Sequence, residues 1–453
     1  MSREKRKILL VNPWIYDFAA YDLWARPLGL LWLGGCLRKR GDEIFLIDCL
    51  EVDSPWMVGD GRGKPPRKVY DCGKFFKEGT EKPRELAGIP RRYSRYGMGE
   101  KPFWTALEQV GEPDVVLVTS FMTYWYPGPF YVIDRIKRAF PRTPVMLGGV
   151  YAALCHGHAV ENSGADVVFG GSGLNRALAA VDEVLEREPT RVTVPAYPAF
   201  DLYRRGRAVC VATSTGCPFR CAYCGSALLT PEFEQREAEA VVDEIRHWVR
   251  GFGVTDIAFT DDALLVDAEN HLIRILEGIL EEGVTCRFHV PNGIHARGLT
   301  QAIADLMFRA NFKTIRVGLE TVNRRRQAET GGKVSEDEVA RAIDHLRSAG
   351  YCRAGVGVYL MAGLPGQRWE EVEAGVEQVW AWGAVPKIAE YSPIPGTGLW
   401  EEAVRVSKYD IEGEPLFQNN TVFPCEWEGF SRGDLAGLKS RLQRRIRDEG
   451  DEA

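Results

Sequence analysis

No run of about 18 consecutive apolar residues occurs anywhere in the 453-residue chain, so an ordinary membrane-spanning helix is excluded. Net positive charge is missing too. The formal charge is −6, and although Arg91 to Arg95 form a local basic stretch, the chain offers no sustained surface for nucleic acid. Nor is there an export signal: the charged start, Met1 to Lys7, leads into only four apolar residues, Ile8-Leu9-Leu10-Val11. That is too short for a signal peptide, and the expected location is the cytoplasm. The 11 cysteines are odd in number and scattered, which favours metal or catalytic use over a disulfide framework. What remains is ordinary globular material, 45% hydrophobic and 26% charged, long enough for roughly two to four domains.

Residues 1–190 alternate strand-like and helix-like patterns, the mark of an α/β layer fold. Lys7 to Val11 reads as a buried strand, Leu28 to Arg40 as a helix stopped by Gly41, and Glu43 to Asp48 as a second strand. Val115 to Thr119, Val145 to Leu147 and Asp166 to Phe169 continue the series, with helices over Tyr131 to Phe140 and Ala152 to Asn162. The pairs Gly148-Gly149 and Gly170-Gly171 each follow a strand, where a parallel sheet binds its ligand. Residues 53–100 break this rhythm. The aromatics Tyr70, Phe75, Phe76, Tyr93 and Tyr96 mark that stretch as an ordered functional insertion.

Glu186 to Tyr203 reads as a linker, and residues 205–402 carry a second α/β series. Its strands are Ala208 to Thr213, Asp256 to Thr260, Arg287 to Val290, Thr314 to Gly318, Gly355 to Leu360 and Lys387 to Ser392, with a long amphipathic helix over Pro231 to Arg250. About six βα units make a partial barrel rather than a closed one of eight. Residues 403–453 form a short extension with a charged helix over Arg432 to Glu449.

The densest chemistry is Cys217-Pro218-Phe219-Arg220-Cys221-Ala222-Tyr223-Cys224, a C-x3-C-x2-C loop between a strand and a helix. Three thiolates on one turn converge on one metal centre, and iron–sulfur clusters take cysteine ligands. A cubane needs four ligands, so one iron is left open. Structural zinc with a distant fourth ligand is the alternative, but its usual second C-x2-C pair is absent. The other cysteines, such as Cys36, Cys49 and Cys286, read as small buried hydrophobes.

This loop, with its aromatic Tyr223 before the third cysteine, resembles the signature of the radical S-adenosylmethionine (SAM) superfamily. The resemblance implies a [4Fe–4S] cluster on Cys217, Cys221 and Cys224 whose open iron is chelated by SAM. Cofactors then carry the hard chemistry while the protein binds, orients and excludes water. Later segments fall where that family places its cofactor contacts. By resemblance Thr260-Asp261-Asp262 handles the methionine end of SAM, although an Asp there also suits a helix N-cap. Asn292 and Arg297 lie in a loop the family uses near the active site, although Asn292-Gly293 is also a common turn pair. Glu320 resembles the family's strand-end acid beside the cofactor. Gly363-Leu364-Pro365-Gly366-Gln367 matches a motif whose glycines let backbone approach the adenine, with Gln367 where Glu is usual. Pro393 to Thr397 is likewise similar, so the resemblance covers about residues 205–402.

Residues 7–185 resemble the cobalamin-binding, Rossmann-like domain fused ahead of such barrels, on Leu9 to Pro13, Arg26 to Leu30 and Leu147-Gly148-Gly149. Gly170 to Gly173 takes the place of another glycine-rich loop, without the family's usual acid. The lower-ligand signature D-x-H-x-x-G is absent, so cobalamin would bind without a protein ligand below cobalt. His156 and His158 read as helix-surface or packing residues. Thr119 to Tyr126 either lines the corrin face or packs in a core.

The expected function is a radical-SAM enzyme that cleaves SAM to a 5′-deoxyadenosyl radical, as a cobalamin-dependent methyltransferase on an unactivated carbon. The alternative is a rearrangement, cyclisation or oxidation without methyl transfer. A non-enzymatic iron–sulfur protein is the outsider. The implied partners are a small-molecule or lipid-like substrate and an electron donor such as ferredoxin or flavodoxin. No catalytic acid or base stands out, and substrate and oligomeric state are not legible.

Overall fold

Val, Ile and Leu fill the first strand, β1 (Lys7–Asn12), because it is covered on both faces, as parallel strands are. In the computed structural model, which describes residues 5–57, 63–189, 191–192, 196–203 and 206–449, β1 pairs in parallel with β2 (Glu43–Asp48) and with β3 (Val115–Val118). β4 (Val145–Leu147) and β5 (Val167–Val168) extend the sheet, giving the order β2-β1-β3-β4-β5. In this doubly wound order the ligand crevice lies between β1 and β3, outside the strands' carboxyl ends. The core beneath it includes Leu9, Val11, Phe103, Val116, Ile133 and Leu147.

The insertion is ordered where it is described. Ile15–Asp17, Ser94–Tyr96 and Lys77–Gly79 form a small antiparallel sheet over Leu50, Phe75 and Phe76; residues 58–62 lie outside the described residues. Part of the expected linker, residues 190 and 193–195, also lies outside them. Beyond it, Ala199 N donates to Leu31 O at 2.9 Å and Tyr203 is buried against Asp48.

The chain divides into two compact units, residues 1–206 with 414–417, and residues 207–413 with 418–453. The second unit is a parallel sheet of β6 (Ala208–Val211), β7 (Asp256–Phe259), β8 (Arg287–His289), β9 (Phe312–Glu320), β10 (Val356–Ala362) and β11 (Val385–Glu390). These pair in strict chain order, and Ile294–His295 adds a short pairing to β9. The six-strand succession is the partial barrel expected from the sequence. Phe259, Phe288 and Phe312 stack on one face with ring centroids 5.2–5.7 Å apart. On the other face Asp256 accepts from Arg287 Nε at 2.7 Å and lies 3.0 Å from His289 Nε2.

Two helices differ from expectation, and the one read over Ala152 to Asn162 breaks at Cys155 into Val150–Leu154 and His156–Asn162. The helix read over Pro231 to Arg250 forms as an α-helix only over Ala238–Arg246, then widens into a looser turn at His247–Gly251. Upstream, Glu234–Gln235 pairs antiparallel with Ser214–Thr215, and Arg236 N donates to Thr213 O at 2.9 Å. Backbone pairing to the cysteine loop overrides the helical period there. Among the described residues no helix is long and apolar enough to cross a membrane.

Candidate functional site

The cysteine loop leaves β6 through Thr213 and Ser214, and one buried carboxylate oxygen grips both. Asp261 Oδ1 accepts from Thr213 N (2.9 Å), Thr213 Oγ1 (2.8 Å), Ser214 N (2.6 Å) and Ser214 Oγ (2.7 Å). Burial pushes the Asp261 carboxyl up despite these bonds, and its Oδ2 has no hydrogen-bond partner. Gly216 follows at φ +73°, where a β-carbon would strike the Glu232 carbonyl; only glycine fits. Farther on, Ala222 N donates to Thr330 O at 3.1 Å and Leu399 N to Ala222 O at 2.8 Å. The loop is thus pinned at its entry and on its far side.

Cys217 is buried, Cys221 and Cys224 are half-buried, and all three are free thiols. Burial raises the thiols of Cys217 and Cys221, and the neighbouring cysteines add to it. The three thiols lie within eight residues of one pinned loop. Among the described residues no three His, Cys, Asp or Glu side chains converge as one mononuclear ion requires. The donor chemistry, three cysteine thiols on one loop, suits a cubane with one open iron. Loading it must displace protons, since the ligand is the thiolate.

Around the loop the barrel mouth supplies a connected polar set. The Tyr223 phenol lies near the Cys221 thiol and the Glu320 carboxylate and draws both groups down against the effect of burial. Glu320 ends β9 at φ +70°, at a register shift against β10; such strain in a non-glycine residue is stored chiefly at functional sites. Burial pushes its carboxyl up, while Lys333, with Nζ 3.7 Å from Oε1, draws it down. Burial raises the Asp262 carboxyl as well, with Ser226 drawing it down, and Ser226 Oγ lies 3.2 Å from Cys224 Sγ. His295 lies flat on Phe219, with ring centroids 4.0 Å apart at 20°. Lys333, His295 and Ser226 carry no motif, and sequence reasoning missed them. The Gly331-Gly332 pair preceding Lys333 was the one available signal.

The other candidates divide. Asn292 Nδ2 donates to Thr260 O at 2.9 Å, tying the end of β7 to the loop after β8. Arg297 is not brought to this cluster: it pairs with Glu338 at 2.8 Å, and its side chain is 60% exposed. Gly363 N and Leu364 N both donate to Gln367 Oε1, at 2.8 and 3.2 Å, while Gln367 Nε2 donates to Met361 O at 3.0 Å. An amide does both jobs, which a carboxylate in its place could not. The tail braces this loop. Phe423 packs on Gly363, and Trp427 Nε1 donates to Gln367 O at 2.8 Å.

Gly148 and Gly149 belong to the first unit. Gly149 has φ +97°, and its β-carbon would stand 2.7 Å from Ser120 N. Ser120 Oγ donates to Gly148 O at 2.7 Å, so the ends of β3 and β4 are knitted together. Beside them the buried Asp48 carboxylate accepts from Tyr203 OH (2.6 Å), Asn12 Nδ2 (2.8 Å) and Leu50 N (2.8 Å). The Thr119–Tyr126 stretch splits: Phe121 and Met122 are exposed, whereas Tyr126 stacks on Tyr151 and donates to Glu414 at 3.0 Å. His158 Nδ1 lies 2.6 Å from Tyr151 OH and burial holds it neutral; His156 is exposed.

Comparison with known proteins bears on these features. Residues 211–379 match the family profile of the Radical SAM superfamily. An uncharacterized methyltransferase of Pyrococcus horikoshii is 26% identical over 228 residues, 49% of this chain. The match spans 45% of that relative, so under half of its length. The radical S-adenosylmethionine methyltransferase TsrM from Kitasatospora setae, solved with cobalamin and a [4Fe–4S] cluster bound, superposes with a TM-score of 0.65 at 18% identity, over 89% of this chain and 76% of that one. The cobalamin-dependent radical enzyme OxsB, solved with aqua-cobalamin, gives a TM-score of 0.60 at 12% identity, over 91% of this chain and 56% of that one. A radical SAM domain implies a [4Fe–4S] cluster and SAM. The chain carries a radical SAM domain and has the fold of the cobalamin-dependent radical SAM proteins TsrM and OxsB.

Proposed function

We propose that the protein is a cobalamin-dependent radical-SAM methyltransferase acting on a small or lipid-like molecule, with reducing equivalents from a ferredoxin- or flavodoxin-like donor. The observation that carries this is the three-cysteine loop pinned at both ends beside Asp262, Glu320 and Lys333. The glycine-lined, doubly wound sheet of the first unit supports the cobalamin part. When bound, the reduced cluster with SAM supplies a 5′-deoxyadenosyl radical, and cobalamin supplies the methyl group.

The chain's own residues prepare the site. Cys217, Cys221 and Cys224 hold the irons, and Asp261 fixes the loop that carries them. Glu320 and Asp262 present carboxylates to the polar end of SAM. Asn292 ties the end of β7 to the loop after β8, while the Gly363–Leu364 loop, braced by Gln367 and Phe423, would lie beside the flat base of SAM. In the first unit Gly149 lets the end of β4 close on Ser120, at the carboxyl ends of the strands where a corrin would lie.

The test is anaerobic reconstitution with iron, sulfide and hydroxocobalamin, followed by spectra after desalting and assay with SAM and dithionite. Cluster and corrinoid bands are expected, with both 5′-deoxyadenosine and S-adenosylhomocysteine as products. A cluster without retained corrinoid, making 5′-deoxyadenosine alone, would show a radical reaction other than methyl transfer. Replacing Cys217, Cys221 or Cys224 with Ala should abolish the cluster; full iron in all three variants refutes the site.

A further inference from the structure

We propose that Lys333 sets the charge of the cysteine loop and thereby how easily the cluster held there is reduced, an inference that rests on the reading of the loop as a [4Fe–4S] site. The segment Thr330-Gly331-Gly332-Lys333 is docked directly on that loop. Thr330 O accepts from Ala222 N at 3.1 Å, and a β-carbon on Gly331 would stand 3.2 Å from the Cys221 Cα. Gly331 and Gly332 have φ +121° and +59°, so the chain turns back in a conformation other residues resist. The Lys333 side chain, 16% exposed, therefore runs inward. It passes over Gly318, where a β-carbon would stand 3.1 Å from Nζ, and ends 3.7 Å from Glu320 Oε1.

In that place the ammonium faces the Glu320 carboxylate, on a segment that packs against the backbone of Cys221. Reduction adds an electron from the donor to a centre that already carries three thiolates. The net charge around a cluster is one of the levers on its potential, and a partly buried cation is weakly screened. Lys333 thus stabilises the reduced state over the oxidised one. It touches no reacting bond and acts as a positioning charge.

The experiment is a dithionite titration of the reconstituted full-length protein, followed by electron paramagnetic resonance, with iron counted for each variant. Lys333→Met should lower the ratio of reduced to oxidised cluster about tenfold at the wild-type midpoint, about 59 mV for one electron. Lys333→Arg should restore it. An unchanged midpoint in Lys333→Met with full iron overturns the proposal. So does an unchanged midpoint with weakened SAM binding, which would assign the ammonium to the carboxylate of SAM. If Lys333→Met holds no iron, Lys333→Gln is titrated by the same criterion. Loss of iron in Met and Gln variants but not in Arg supports a charge requirement, and loss in all three makes the residue merely structural and overturns it. A wild-type protein that forms no cluster defeats the proposed function along with this inference, whereas a normal wild-type cluster isolates the inference.

Discussion

His295 shows what the barrel mouth does to a single ionisable group. It is 5% exposed, and burial, aided by the Lys333 charge, pushes the imidazole down to about 3. In the unfolded chain a histidine titrates near 6.5. The folded value is depressed, so the stability this group contributes is complete above about pH 6.5 and is lost as the pH falls toward 3. Between pH 7 and 5 the cluster-free wild type should lose about 2 kcal/mol more than His295→Asn in urea unfolding, at about 1.4 kcal/mol per proton per pH unit. Parallel curves for the two proteins would contradict a neutral buried imidazole. Residue roles of this kind were the least legible in the sequence. Asp261 stood in the right motif, yet its Oδ1 binds the entry to the cysteine loop, because only the fold brings β6 beside β7. Arg297 sat in a plausible loop, but its side chain turns to Glu338. Lys333 was invisible, since nothing in a lone lysine announces which strand end it will meet.

Elements were easier to read, because burial on both faces writes itself as unbroken apolar runs and glycines mark the strand ends. One exception is instructive. Pro231 to Arg250 has helical spacing, yet its first residues pair with Ser214–Thr215, so local periodicity lost to a ladder whose partner lies about twenty residues upstream. That short ladder and Gly216 together define the approach to Cys217. Gly216→Ala would force a side chain into the left-handed region and against the Glu232 carbonyl, at a cost of about 1–3 kcal/mol. The expected outcome is reconstituted protein with less than half the wild-type iron and a normal far-ultraviolet circular dichroism spectrum. Full iron loading would mean that the loop reaches the cluster by another route.

For the whole molecule, the two candidate sites lie on separate compact units and should fail separately. Gly149→Ala meets Ser120 N at 2.7 Å and disturbs the joint between the ends of β3 and β4, far in sequence from any cysteine ligand. Retention of corrinoid after desalting should fall at least about tenfold, an effect of about 1.4 kcal/mol, while the cluster spectrum and iron content stay at wild-type levels. Equal loss of both would show that the first unit is needed for the second to fold. The doubly wound first unit and the sequential partial barrel were both legible, since strand spacing encodes them. The return of residues 414–417 to the first unit was not, because four residues carry no period. That return has a consequence for synthesis. Tyr126 waits for Glu414, its hydrogen-bond partner 288 positions later, so the amino-terminal unit cannot complete this contact until residues 414–417 have left the ribosome. During that interval the Tyr126 ring can already pack on Tyr151 and His158, while its hydroxyl has to find water in place of the carboxylate.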